Sequence, residues 1–184
     1  MTRITVIYHS GYGHTQRMAQ AVADGANAEL LAIDAEGNLP EGGWQQLKAS
    51  DAIIFGAPTY MGSCSWQFKK FADATSKPWY AQEWKDKVAA GFTTSAGMNG
   101  DKQQTLGTLF TLAMQHGMLW VSQGLMPAQL KSSRRDDINY LVSYSGAMAA
   151  APADGGVADM SAGDLETARL FGARVAEIAA RLTR

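Results

Sequence analysis

The segment that decides the fold is ITVIYHSGYGHTQ, residues 4–16. An apolar run typical of a buried strand leads into a turn with small and hydroxyl-bearing residues, and a helical pattern follows. A strand, loop and helix in this order point free backbone N–H groups and the positive end of a helix dipole at one place, which suits a phosphate. Gly11 and Gly13 allow the backbone to approach closely, and Ser10 and Thr15 offer hydroxyl donors.

The same segment departs from two common nucleotide-binding loops. No Gly-Lys-Ser/Thr follows it, so it is not a triphosphate loop, and the third glycine of Gly-x-Gly-x-x-Gly is missing, so it is not a dinucleotide fingerprint. A monophosphate such as that of FMN fits better. Taken alone, the segment is equally compatible with a turn that binds nothing.

Composition limits the classes of protein to consider. The chain has 184 residues, of which 46% are hydrophobic and 18% charged, so we expect one globular domain over residues 1–184. The net charge of −1 gives no electrostatic reason to expect nucleic acid or an anionic membrane as partner. No set of His, Cys, Asp and Glu has metal-ligand spacing, and no Gly-x-Ser-x-Gly elbow is present.

Cysteine content and hydropathy bear on location. The single cysteine, Cys64, leaves no intrachain disulfide and fits a reducing compartment. No signal-peptide pattern is visible, and no apolar run approaches the length of a membrane span. We therefore expect a soluble cytoplasmic protein.

Apolar segments alternate with helical patterns along the chain. The predicted strands cover 4–8, 28–33, 52–57, 88–93 and 118–122, and the predicted helices cover about 15–26, 44–48, a segment starting near Ser65, 102–116 and 165–182. Most of the strand segments lack clean alternation, as strands buried on both faces do. The pattern predicts a doubly wound α/β fold with a five-stranded parallel sheet.

Three details of the helices are also predicted. Gly25 is expected to cap the end of the first helix, and Phe110 is expected to face inward with Leu106, Leu109 and Ala113. A capping box of Ser161 and Asp164 is expected to start the last helix, whose inward positions are Leu165, Ala168, Phe171, Val175, Ile178 and Leu182.

The segment 123–156 is long, rich in Ala, Gly and Ser, and has no clear periodicity. A loop of this length inside a compact domain is usually functional or disordered. We expect it to interrupt the last strand and to lie near the site or at a subunit contact.

Three loops are expected to meet at one edge of the sheet. They follow the first, third and fourth strands in the order of a doubly wound sheet, at 10–15, 56–63 and 93–100, and all are rich in Gly, Ser and Thr. Ligands of such sheets bind at the carboxyl ends of the strands, at the point where the strand order reverses. Backbone groups from three loops can surround a flat heterocycle, as a flavin ring requires.

The motifs together resemble a known family. The phosphate loop, the Gly-x-Pro-Thr-Tyr-Met-Gly turn at 56–62, the Thr-Thr-Ser-Ala-Gly loop at 93–97, Gln-His-Gly-Met at 115–118 and the closing helix are similar to the flavodoxin-like NAD(P)H:quinone oxidoreductases related to the tryptophan-repressor-binding protein. The likeness covers nearly the whole chain. It implies a flavodoxin-like fold, FMN as cofactor, NADH or NADPH as electron donor, and a homodimer or homotetramer.

The resemblance also implies roles for individual residues. Ser10, Gly11, Tyr12, Gly13, His14 and Thr15 would hold the phosphate, with Tyr12 also against the nicotinamide nucleotide; Pro58, Thr59, Tyr60, Met61 and Gly62 would flank the isoalloxazine; Thr94, Ser95, Ala96, Gly97, Met98 and Asn99 would contact its pyrimidine end, and Gln115 would join the cofactor site. Trp79, near the open ring face, and His116 would position the substrate. The family usually has Arg at the position of Tyr60 and His at that of Gln115.

Some of these positions also have ordinary structural interpretations. His14 could bind the phosphate or lie in solvent, His116 could be a helix C-cap, and Trp79 could belong to a satellite core.

The leading functional hypothesis is an FMN-dependent NAD(P)H oxidoreductase that passes two electrons to a quinone or another flat acceptor. The alternative is a flavodoxin-like carrier of single electrons between proteins, and a third possibility is a binding module that uses FMN structurally. Fold alone does not decide among them.

Overall fold

A seven-stranded sheet forms the centre of the computed structural model, which describes residues 2–182. The elements are β1 (Ile4–His9), α1 (His14–Ala26), β2 (Glu29–Ile33), α2 (Gly43–Ala49), β3 (Ala52–Tyr60), β4 (Ser63–Cys64), α3 (Trp66–Ala74), α4 (Ser76–Tyr80), β5 (Val88–Ser95), α5 (Lys102–Gln115), β6 (Leu119–Trp120), β7 (Ala147–Ala150), a short 3₁₀ turn (Val157–Asp159) and α6 (Ala162–Leu182). Strands and helices alternate along most of the chain as the sequence predicts, but β4 follows β3 directly, α4 follows α3, and β7 follows β6.

The strand order is β2-β1-β3-β5-β6, with all of these neighbours parallel. The chain thus turns to one side of β1 to form β2 and to the other side to form β3. This reversal is the switch point of a doubly wound sheet, and it opens a crevice at the carboxyl ends of β1 and β3. The predicted fold class is confirmed.

The predicted count of five strands is wrong, because the last position of the sheet is shared. β6 pairs with the beginning of β5, and β7 pairs with its end, with the 123–146 segment inserted between them. A further short strand, β4, folds back antiparallel on Thr59 and Tyr60. β7 is built from Ala and Met, so its sequence carries little strand signal.

Both faces of the sheet are buried. Along β1, alternate residues belong to different hydrophobic clusters: Val6 packs with α1 and α6, and Ile7 packs with side chains of α3 and α5. All six residues of β1 are buried, which explains why no polar alternation appears in the sequence.

Three predicted helix details need correction. Gly25 lies inside α1, which ends at Ala26 with Asn27 as the left-handed cap. Phe110 is largely exposed and contacts Trp120 edge to face. Leu182 is also exposed, at the end of α6.

The capping box at α6 forms only in half. Ser161 Oγ accepts the Asp164 N–H, whereas the Asp164 carboxylate binds Arg135 and accepts the N–H of Ala150. Asp164 therefore ties the 123–156 segment and the end of the sheet to the last helix. Within residues 2–182, none of the helices combines the length and apolarity needed to cross a bilayer.

Candidate functional site

The predicted loops converge on one cleft at the carboxyl edge of the sheet. The cleft has a volume of about 690 Å³ and is lined by Tyr12, His14, Thr15, Pro58, Thr59, Tyr60, Met61, Thr94, Ser95, Ala96, Ala151, Pro152, Ala153 and Gly155. This volume lies within the range of small-molecule sites. Of the other predicted cofactor residues, Ser10, Gly11 and Gly13 form the loop between β1 and α1, Gly62 lies between β3 and β4, and Gly97, Met98 and Asn99 lie between β5 and α5.

The loop before α1 has the geometry of an anion site. Gly13 takes φ +89° as the N-cap of α1, and Ser10 Oγ accepts the N–H groups of Gly13 and Gln16, both at 3.1 Å. The N–H groups of Tyr12, His14 and Thr15 have no hydrogen-bond partner among the described residues. Free N–H groups at a helix N-terminus bind phosphate without a cationic side chain.

Threonine hydroxyls hold the strand ends together beneath the cleft. Thr15 Oγ1 lies 2.6 Å from Thr94 Oγ1, which joins the start of α1 to β5. Thr59 Oγ1 lies 2.8 Å from Thr93 Oγ1 and donates to Thr105 Oγ1 at 2.7 Å, which joins β3, β5 and α5. Because these hydroxyls form hydrogen bonds with one another, they make the floor of the cleft rigid.

A fourth wall of the cleft comes from the end of the 123–156 segment, which was expected to interrupt the last strand and to lie near the site or at a subunit contact. The small residues after β7, from Ala151 to Gly155, close the side of the cleft near α1. His14 Nε2 donates to the carbonyl oxygen of Gly155 at 3.2 Å, and a Cβ on Gly13 would lie 2.9 Å from Val157. The run Ala-Pro-Ala-Asp-Gly-Gly after an apolar segment was the available signal.

Aromatic and apolar side chains surround the mouth of the cleft. Tyr12 and Tyr60 meet edge to face with ring centroids 6.1 Å apart, and Met61 is fully exposed beside them. Burial of the Tyr60 hydroxyl, with Tyr12 nearby, raises the pKa of Tyr60, so it stays a neutral phenol at physiological pH. Such a rim offers flat surfaces to a second planar molecule.

Three predicted site residues lie elsewhere. Trp79, Gln115 and His116 line a second cleft of about 530 Å³ between α3, α4 and α5, which shares no lining residue with the first. His116 is 5% exposed, stacks on Trp84 at 4.4 Å and donates from Nε2 to Thr75 Oγ1 at 2.9 Å. Within this chain, the structure does not bring these residues to the cleft at the strand ends.

The burial of His116 predicts a pH-dependent stability. Burial lowers the pKa of His116 to about 4, below its ordinary value of 6.5. The unfolded chain then binds the proton more readily between these values, so the free energy of unfolding falls as the pH drops through 6.5. We expect wild-type protein to lose about 2 kcal/mol more than His116→Gln between pH 7 and pH 5, measured by urea unfolding. Parallel profiles for the two proteins would contradict this.

Lys102 is a further residue that the sequence analysis did not single out. It is the first residue of α5, is 0% exposed, and donates from Nζ to Ser95 Oγ at 2.8 Å and to the carbonyl oxygen of Gly97 at 2.5 Å. Burial lowers the pKa of Lys102 to about 8. Nothing in the local sequence distinguishes it from an exposed lysine in a first helical turn.

Comparisons with known proteins agree with this architecture. Residues 2–131 match the family described as NADPH-dependent FMN reductase. The chain is 54% identical over 182 residues to Flavodoxin FldP of Pseudomonas aeruginosa, covering 99% of both chains. It is 33% identical over 202 residues to an NAD(P)H dehydrogenase (quinone) of Paracoccus denitrificans, covering 99% of this chain and 96% of that one.

A solved structure is also similar. The flavodoxin, WrbA-like protein from Agrobacterium tumefaciens superposes with a TM-score of 0.83 at 56% identity, covering 98% of this chain and 99% of the other. The resemblance inferred from the motifs is confirmed, and the family match supports the predicted cofactors, FMN and NAD(P)H. The chain belongs to the NADPH-dependent FMN reductase family and, within it, to the flavodoxin-like relatives of the NAD(P)H:quinone oxidoreductases.

Proposed function

We propose that this protein binds FMN in the cleft at the strand ends and uses it to transfer two electrons from NAD(P)H to a quinone or a similar flat acceptor. The observation that carries this proposal is the combination of free N–H groups at the start of α1 with an open, aromatic rim at Tyr12, Tyr60 and Met61. A phosphate end and an accessible ring face are both needed for a flavin that reacts with small molecules.

The residues at the cleft suit FMN in their chemistry. The loop from Ser10 to Thr15 would hold the phosphate, and the turn at 58–62 would flank the isoalloxazine ring. The backbone of 94–99 would contact the pyrimidine edge of that ring. When bound, FMN supplies two-electron chemistry, accepting a hydride and passing electrons on. The protein has to place the ring, provide N–H donors for the negative charge of its reduced form, and leave one face open. We propose cleft residues for these tasks; Trp79 and His116 line the other cleft, so no substrate role within the same chain is proposed for them.

The electron carrier is the second candidate, and the 54% identity to a protein named flavodoxin favours it. A carrier exposes mainly the edge of its flavin to a protein partner, and many such proteins are strongly acidic. The net charge of −1 and the open rim at Met61 favour the oxidoreductase.

An anaerobic titration separates the two. FMN-loaded protein is mixed with NADH and, separately, with NADPH while the flavin absorbance is followed. Rapid bleaching that benzoquinone reverses supports the oxidoreductase and identifies the donor. No bleaching by either nucleotide, with reduction by dithionite in two separate one-electron stages, would support the carrier. Absence of FMN binding would contradict the proposed site.

We also propose a cytoplasmic homo-oligomer in which the 123–156 segment supplies a subunit contact. This segment exposes the large apolar side chains of Met126, Leu130 and Tyr144. Replacing Met126 and Leu130 with Ser should lower the mass seen by size-exclusion chromatography with light scattering. Leu182→Ser, an exposed apolar side chain outside the segment, should leave the mass unchanged. If the double variant keeps the wild-type mass, the contact lies elsewhere.

A further inference from the structure

Lys102 is buried against the turn that forms the wall of the cleft at the predicted pyrimidine end of FMN. Ser95 and Ala96 line the cleft, and the Lys102 ammonium group, which is not part of the lining, donates to the Ser95 hydroxyl and to the Gly97 carbonyl oxygen of the same turn. A buried ammonium group needs such partners, because leaving it unpaired would cost several kcal/mol. The turn and the lysine therefore constrain each other.

The turn itself is tightly closed around this contact. Ser95 Oγ also approaches the carbonyl oxygen of Gly97 at 3.2 Å, and Gly100 takes φ +52° with its hypothetical Cβ only 2.2 Å from Ser95 Oγ. Asp101 is left-handed as well, with φ +52°. The backbone of 95–101 thus closes over the Lys102 side chain, which is fully buried.

We propose that Lys102 is a positioning residue of the FMN site: it holds the 95–97 turn against the ring, and its positive charge favours the reduced over the oxidised cofactor. The proposal rests on the proposed placement of FMN in this cleft. The proposed role of Lys102 sets the ratio of the affinities for reduced and oxidised FMN. This ratio is fixed neither by the fold nor by which nucleotide donates the electrons.

The charged groups near Lys102 allow its charge to act on the ring. Two such groups face it, Asp164 and Arg135, and they form an ion pair with each other at 2.5 Å. Because Arg135 neutralises Asp164, the Lys102 charge is only partly compensated. FMN gains negative charge on the ring when it accepts two electrons and one proton, so a buried positive charge behind the turn stabilises the reduced form.

The pKa of Lys102 supports this role. Burial lowers it to about 8, with Asp164 raising it and Arg135 lowering it, so the side chain is mostly protonated at pH 7. Reduction of the flavin should raise this pKa, because the added negative charge favours the ammonium form. Proton uptake by Lys102 would then accompany reduction at pH values slightly above 8.

The test compares two variants with a matched control. Lys102→Met removes the charge and keeps an unbranched side chain, and Lys102→Gln removes the charge but keeps a donor. Lys87→Met is the control, since Lys87 Nζ also donates to backbone carbonyls, those of Leu47, Lys48 and Ser50, but lies at the opposite edge of the sheet, before β5. The affinity for oxidised FMN is measured by fluorescence quenching, and the two-electron midpoint potential by anaerobic dithionite titration against a reference dye.

We expect both Lys102 variants to bind reduced FMN, relative to oxidised FMN, about tenfold more weakly than wild type, a fall of about 30 mV in the midpoint potential. Lys87→Met should leave this ratio unchanged. If the Lys102 variants bind oxidised and reduced FMN more weakly by the same factor, the residue has only a structural role, and the proposal is overturned.

A wild-type measurement covers the case in which the Lys102 variants fail to fold. The midpoint potential of wild-type protein should fall more steeply with pH just above pH 8 than between pH 7 and 8. A constant slope from pH 7 to 9.5 would overturn the proposal. These titrations use dithionite and do not depend on NAD(P)H. If NAD(P)H fails to reduce the bound FMN, the proposed oxidoreductase function is contradicted, but the role of Lys102 can still be tested.

Discussion

Gly13→Val is expected to weaken FMN binding by at least about 100-fold. Gly13 has φ +89°, a conformation that a β-branched residue adopts only at a cost of roughly 1–3 kcal/mol. Its Cβ would also lie 2.9 Å from Val157, so the fourth wall of the cleft would have to shift. The added methyl groups would crowd the loop in which the N–H groups of Tyr12, His14 and Thr15 are free, and a phosphate needs close backbone approach there.

The chain offers a matched control for backbone strain. Gly42 is also a left-handed N-cap, with φ +78° at the start of α2, and nothing lies within 4 Å of its hypothetical Cβ. Gly42→Val should cost stability through strain and leave FMN affinity near the wild-type value. Isothermal titration with FMN measures the affinities, and thermal unfolding measures the strain. Near-normal affinity in Gly13→Val would mean that the phosphate binds elsewhere.

The phosphate loop and the meeting of the three loops could be inferred from the sequence because their signals are local. A buried strand followed by Gly, Ser and Thr appears in the sequence near Ser10, near Pro58 and near Thr94, and the rule for doubly wound sheets then places the three loops together. Parallel pairing brings these strand ends to one edge: Tyr8 lies beside Gly56, and Pro58 beside Thr94.

What could not be predicted depends on contacts between distant parts of the chain. The interruption of the last strand by the 123–156 segment was predicted, but no local period shows that Ala151 to Gly155 form a wall of the cleft. The burial of Lys102 depends on a turn that closes over it. The placement of Trp79 and His116 came from resemblance alone, and the structure places Trp79 in α4 and His116 just after α5, where both line another cleft.

Gly25 is another residue whose role depends on a contact with a distant part of the chain. Its substitution is the second change for which we expect a large effect. A glycine one residue before the end of a helical pattern predicts a C-cap. In the structure, however, a Cβ on Gly25 would lie 1.8 Å from the carbonyl oxygen of Arg169 in α6. Gly172 of α6 makes the reciprocal approach, with its Cβ 2.0 Å from the carbonyl oxygen of Val22. The two helices therefore touch backbone to backbone, and only glycine at both positions permits this.

Gly25→Ala is accordingly expected to lower the free energy of unfolding by at least about 3 kcal/mol, because α1 and α6 must separate and their packing on the sheet is lost. Gly107→Ala is the matched control: Gly107 also lies inside a helix, α5, with nothing within 4 Å of its Cβ, so the same substitution should stabilise by about 0.5–1 kcal/mol. Urea unfolding of both variants measures the difference.

A double variant tests whether the helix crossing is the cause. Gly25→Ala and Gly172→Ala should each be destabilising, and together they should cost less than the sum of the two, since one outward shift of α6 relieves both clashes. Additive losses would indicate two independent local defects. Because His14 at the start of α1 holds Gly155, and Asp164 at the start of α6 holds Ala150, a shift of these helices should also widen the cleft and weaken FMN binding in proportion.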